Sequence, residues 1–550
     1  MLRSVTALVL VVAFMLVTLG AQSHPLGRVV FPNSGNPQAQ ADFLRGVAWL
    51  HSFGYEDAID AFRAAQKADP GFALAYWGEA LSFSQPLWFF EEVPKAREAL
   101  AKLGPTPEAR IAKAKTPREQ GFLRAVEALF GAGDTPARAA AYAKAMTALA
   151  AAHPDDDEVQ TFYALSLLAI LPRGDGSLPL RRQAGGIAET VFARSPQHPG
   201  AAHYLLHAYD HVTLAPKGLT AARAYAKIAP AVSHALHMPA HAFLQLGLWD
   251  EAAASDQASW DASIAWAKRR GLSVASRDFH SLSWLQYEWT QQGRFSKTKE
   301  ALAFVDEAAA ITAPSASADG KSLFPQHAGG HHYGDSEIGR MSGPAALRND
   351  RGSMRARYII ESARWGEMKG QGSFDNIEEL FALGLSAVNL NDAPRVAAVI
   401  EQLRGATAPS QPVELREQAN VMLREMEALD LFAQNRHPEA FAMMGRAVAL
   451  QAQMPKPIGR PFPVKGANEL QGELLLRVGR AREAIVSFNR ALERTPNRSR
   501  AVLGLARAHR TAGNVAAARG TYQRFLANWR LADPGLPEVA EAREALKTLK

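Results

Sequence analysis

From Gly472 to Trp529 the apolar positions recur at three- and four-residue steps, the period of a helix face, with charged residues on the remaining positions. The pattern repeats itself: Gly479 and Gly513, Ala484 and Ala518, and Phe488 and Tyr522 are each 34 residues apart. Glycine and alanine stand where paired helices approach closely, Leu475 and Phe488 fill the space between them, and Pro496 ends the second helix. The stretch "FLRGVAWLHSFGYEDAIDAFRAAQKADPGFALAYWGEAL" carries the same offsets at Gly46, Ala58, Phe62, Ala65 and Pro70, around the turn "SFGY". Degenerate copies follow at "HAFLQLGLWDEAAASDQASW" and "SWLQYEWTQQGRFSKTKEALAFV". Strand signals are nearly absent. The pattern predicts tandem helix pairs, each burying its apolar face against its neighbours.

A 34-residue period with these small and aromatic positions resembles the tetratricopeptide repeat. The expected fold class is therefore all-α, a right-handed superhelical solenoid of such pairs. The phrases "LHSFGYEDAIDAF", "ALAYWGEAL", "HPGAAHYLLHAYD", "HALHMPAHAF" and "NELQGELLLRVGRAREAI" together look like a family of exported bacterial tetratricopeptide-repeat proteins of unassigned activity. That resemblance implies a scaffold whose first helices line a concave groove for a protein, peptide or small ligand.

Breaks in the pattern divide the chain. Residues 24–311 form an N-terminal array and 353–550 a C-terminal one. Between them, 312–352 is rich in Ala, Ser, Gly and Pro and is expected as a flexible insertion; it holds His327, His331 and His332 in "HAGGHHYGD". A second irregular stretch, "MPKPIGRPFPV" from Met454 to Val464, is expected as an extended connector able to cover the groove. Residues 1–23 read as a signal peptide, with Arg3 ahead of the apolar run Val5–Leu19. Cleavage after Ala21 or Ser23 would give a secreted or periplasmic protein without stable membrane insertion; an uncleaved leader would be an anchor. Cleavage would also leave His24 close to a new amino terminus, a candidate chelate for Cu(II) or Ni(II).

Composition narrows the chemistry. The 550 residues include no cysteine, so disulfides and thiolate metal sites are excluded. The net charge of +7 is spread among interspersed acidic residues, and no basic stripe marks a nucleic-acid groove. Nucleophile elbows, His-Glu-x-x-His and phosphate loops are missing.

What remains is histidine. "HPGAAHYLLHAYDH" places His203, His207 and His211 four residues apart, a stripe on one side of a helix. "SHALHMPAHAF" places His237 thirty residues after His207 and His241 thirty after His211, and repeat alignment sets His280 opposite His234. Three consecutive first helices thus bring imidazoles to a similar level. His203, His207, His237, His241 and His280 are candidate ligands for one transition metal, Zn or Cu(II), with Asp210 and Asp278 as carboxylates that ligate or orient the rings. A metal-free ligand groove and plain packing between helices account for the same stripe, and no cofactor is expected under either. The alternative from another class is a metal-dependent enzyme with this cluster as active site. Pro239 leaves two local readings: a helix kinked there, or one that starts near Met238.

Overall fold

The structure is a computed structural model that describes residues 25–88, 90–172, 174–311, 344–372, 374 and 376–549. The expected signal peptide, the His24 terminus and the insertion histidines lie outside the described residues. Among the described residues, twenty-five α-helices follow one another, and the only sheet is a two-residue ribbon pairing Ser84–Gln85 with Phe90–Glu91. The all-α expectation holds. No described helix is long and apolar enough to cross a membrane.

Helices pack as sequential antiparallel pairs for the reason read from the sequence. A Cβ on Gly472 would lie 2.8 Å from the Phe488 ring, and one on Gly46 would lie 2.8 Å from the Phe62 ring. Glycine lets the first helix of each unit press onto the aromatic of the second. The turns reverse through a residue at positive φ, Gly479 at 78° for example. In the first unit that residue is Phe53, at φ 58°.

The array closes on itself. Asn497 donates to Gly247 O (2.7 Å) and its own carbonyl accepts from Trp249 Nε1 (3.0 Å). Ser499 Oγ donates to Gln291 O (2.6 Å), and Asp533 accepts from Ser296 N (2.7 Å). The C-terminal units thus sit on the turns of the units between 233 and 311, and Phe295 belongs to the C-terminal core. Near the start, Asp57 accepts from Trp266 Nε1 (2.7 Å) and pairs with Arg270 (3.3 Å). The contacts of Asn497, Ser499 and Asp533 join the two expected arrays. The helix Pro344–Ser362 begins within the span 312–352 expected as insertion, so helical structure resumes earlier than the sequence suggested.

Candidate functional site

Three successive first helices carry the imidazoles: Pro199–Tyr209, Ser233–Gln245 and Phe279–Gln291. The alignment of His234 with His280 holds, each being the second residue of its helix, but the thirty-residue pairing does not: His237 and His241 stand opposite His203 and His207, 34 residues back, rather than His207 and His211. Each begins with a defined N-terminus: His198 caps the first through its ring, which accepts from Ala201 N at 3.1 Å, and Asp278 caps the third by accepting from Ser281 N at 3.0 Å. The second helix runs unbroken from Ser233 through Pro239. The alternative start near Met238 is therefore overturned. Two carbonyls of the turn before Pro239 accept hydroxyls from the paired helix, Leu236 O from Ser255 (2.5 Å) and Ser233 O from Ser259 (2.8 Å). His211 lies past the end of the first helix and leaves the stripe.

The five expected ligands do not form one centre. They fall into two triads, and each is completed by a residue from the next first helix. His237, His241 and His280 make one; His203, His207 and His234 make the other. His234 was set opposite His280 by alignment but not counted as a ligand.

In the first triad, His237 Nε2 lies 2.9 Å from both His241 Nε2 and His280 Nε2. The far nitrogens are held by carboxylates: His237 Nδ1 meets Asp256 Oδ1 at 2.5 Å and His241 Nδ1 meets Asp210 Oδ2 at 2.9 Å. Gln245 Nε2 donates to the other Asp210 oxygen at 2.6 Å. With the Nδ1 atoms of His237 and His241 each held by an aspartate, the Nε2 atoms of these two rings face one another, and His280 Nε2 meets that of His237. A proton placed on His237 Nε2 serves only one of its two contacts; a cation serves all three. For tetrahedral zinc with nitrogens at about 2.0–2.1 Å the ligand atoms stand ~3.3 Å apart, a few tenths more than here. Burial disfavours the charged forms of His237, pushed down to about 4, and of His241, lowered as well.

Asp210 acts as expected, whereas Asp278 binds Ser281 Oγ (2.7 Å) and Ser233 Oγ (3.0 Å) and touches no imidazole of the triad. Asp256 was missed. It sits on the second helix of its unit, Trp249–Arg270, among the buried positions Ala252, Ala253, Ser259, Trp260 and Ser263. A carboxylate in phase with an apolar stripe was the signal available.

The expectation that these rings line an open groove is corrected. His203 is fully buried, and His237 and His241 are each 1% exposed. The chain itself fills the inner wall. Phe53 packs on His203, His207 and His234 with ring centroids at 4.4, 5.7 and 5.3 Å. Trp284 lies over the other triad, 4.4 Å from His241, and the connector covers Trp284: a Cβ on Gly459 would come 2.5 Å from its ring. Arg460, next along, bonds Ser283 Oγ.

A third cluster, His51, Glu158 and His198, was not expected. His51 Nε2 and His198 Nε2 meet the two Glu158 oxygens at 2.7 and 3.2 Å, and His51 Nδ1 meets Tyr204 OH at 3.2 Å. Since His198 Nδ1 accepts from Ala201 N, its Nε2 carries the proton. Donors face acceptors throughout, as in a satisfied structural network.

Comparison with known proteins agrees with the repeat. Residues 470–533 match the tetratricopeptide repeat family. That segment of the chain carries tetratricopeptide repeats. No curated protein matches it. Among solved structures, this chain is similar to the APC/C hetero-tetramer Cut9–Hcn1, at 11% identity over 94% of this chain and 77% of that one, TM-score 0.32. It is also similar to the human IFIT1 dimer with m7Gppp-AAAA (12%, 90% and 91%, TM-score 0.31). A third likeness is to yeast Tom70 (12%, 93% and 96%, TM-score 0.27). At such identities and TM-scores these likenesses carry no functional assignment.

Proposed function

We propose that this chain is a tetratricopeptide-repeat binding scaffold that holds a late first-row transition-metal ion, Zn2+ or Cu2+, on His237, His241 and His280. The observation that carries the metal reading is the meeting of three Nε2 atoms, with the outer nitrogens of His237 and His241 oriented by Asp256 and Asp210. Carboxylate-backed imidazoles around one point are the arrangement that raises ligand basicity and fixes ring direction. The absence of cysteine fits a borderline ion bound by nitrogen. The scaffold reading rests on the repeat, whose stacked pairs present an extended surface to a protein or peptide. Because the inner wall at the histidines is filled by Phe53 and the connector, that partner is assigned to the surface away from them.

The test is elemental analysis of full-length protein made without a histidine tag, equilibrated with Zn2+ and desalted. Zinc is expected to remain bound and to raise the melting temperature. A lower zinc content in His241→Ala than in the wild type, with helicity unchanged, supports the assignment. A wild-type protein that retains no zinc and no copper overturns it.

A further inference from the structure

The two triads are the same construction one repeat apart. Counting Ser233 as the first residue of its helix, His234, His237 and His241 occupy the second, fifth and ninth positions. Counting Pro199 as the first, His203 and His207 occupy the fifth and ninth. Counting Phe279 as the first, His280 occupies the second. Each triad therefore takes the fifth and ninth residues of one first helix and the second residue of the next.

The geometry follows the register. His203 and His207 have ring centroids 4.7 Å apart, their counterparts His237 and His241 4.8 Å. His203 and His234 are 4.9 Å apart, His237 and His280 4.6 Å. The fifth-to-second Nε2 contact is 3.0 Å in one triad and 2.9 Å in the other. The fixing of the fifth residue is also repeated. His203 Nδ1 meets His51 O at 2.5 Å, and a carbonyl can only accept, so the proton sits on Nδ1 and the Nε2 lone pair points at His234.

The register also shows why the series stops at two. The second position of the Pro199–Tyr209 helix is Gly200, where a Cβ would lie 2.2 Å from His51 Nδ1; His51 occupies that space. The fifth and ninth positions of the Phe279–Gln291 helix are Ser283 and Tyr287, and Ser283 takes Arg460 instead.

One further feature singles out the His203 triad. Phe53 is held at φ 58°, a left-handed conformation that an aromatic residue rarely adopts, and this turn sets its ring against all three imidazoles.

We infer that His203, His207 and His234 bind a second ion of the same class, so that the protein carries a pair of three-imidazole metal centres generated by one repeat step. The centres are neighbours: His207 and His241 have centroids 6.5 Å apart, and His234 and His237 6.3 Å. The donors are neutral nitrogens throughout, which selects Zn2+ or Cu2+ over Mg2+ or Ca2+.

This rests on the same donor chemistry as the His280 centre, and the test separates the two. Full-length, tag-free protein is stripped with chelator, checked for helicity, titrated with Zn2+ in a calorimeter and assayed for bound zinc. Two zinc ions per chain are expected. His234 stands in the first turn of its helix and is partly exposed, so His234→Ala keeps the fold; it is expected to bind one. His280→Ala is expected to lose the other, and the double variant to bind none. A Co2+ titration followed by its visible absorption gives a second reading, with the wild-type signal halved in each single variant. A wild-type stoichiometry of one, lost in His280→Ala and intact in His234→Ala, overturns the second centre and leaves the first standing. Two ions in both wild type and His234→Ala overturn it as well. A stoichiometry of zero overturns both.

Discussion

Glu158 shows at the scale of one residue how a histidine cluster can be structural. Burial alone would push its carboxyl up, but His198 and His51 outweigh burial and hold it down at about 2. A depressed carboxyl contributes stability that is present above its unfolded value of about 4.5 and is lost as pH falls toward 2. Glu158→Gln is expected to lower unfolding free energy at pH 7 by about 1–3 kcal/mol, the scale of lost hydrogen bonds to a charged group, and to flatten the acid limb of the stability curve below about pH 4.5, as measured by urea titration at stepped pH. Its zinc stoichiometry is expected to equal that of the wild type, since His51 and His198 already have protein partners. The sequence did not reveal this cluster. His51, Glu158 and His198 are far apart along the chain, and no common spacing links them.

At the scale of the element, the helical hairpin was legible almost whole. Gly472 and Phe488 were assigned to opposite sides of one close contact from the repeat offsets alone, and the structure puts them there. A methyl group at 472 has to displace a fully buried ring. Gly472→Ala is expected to destabilise the protein by about 1–3 kcal/mol, and Gly472→Ala with Phe488→Leu to recover part of the loss, as read by thermal unfolding. Pro239 was less legible. A proline is compatible with a kink or with a helix start, and the choice depends on whether another helix can satisfy the disturbed turn. Ser255 and Ser259 of the paired helix bond Leu236 O and Ser233 O, on either side of the Ala235 carbonyl whose N–H partner the proline removes, and these contacts are visible only when the two helices are packed together.

At the scale of the whole molecule, contacts between distant repeats matter most. Contacts between units 247–296 and 497–533 draw the C-terminal repeats back onto the middle of the chain. The Met454–Val464 connector was expected as an extended segment able to cover the groove, and its Gly459 does lie against Trp284 above the His237 triad. If this contact gates the metal, then Gly459→Val, whose side chain cannot fit against Trp284, is expected to speed zinc extraction by a chelator several-fold. Zinc stoichiometry and helicity should stay unchanged. An unaltered extraction rate in a stopped-flow assay would show that the ion leaves by another route.

The amino-acid sequence determined the repeat, because helix period, close-packing glycines and turn positions are local requirements that each unit states for itself. It also determined that first helices carry imidazoles in phase. The partition of those imidazoles into two triads, the pairing of Asp256 with His237 and the burial of the inner wall were decided by tertiary structure. Each depends on how neighbouring helices rotate and on which distant segment closes over them, quantities set by packing across tens to hundreds of residues.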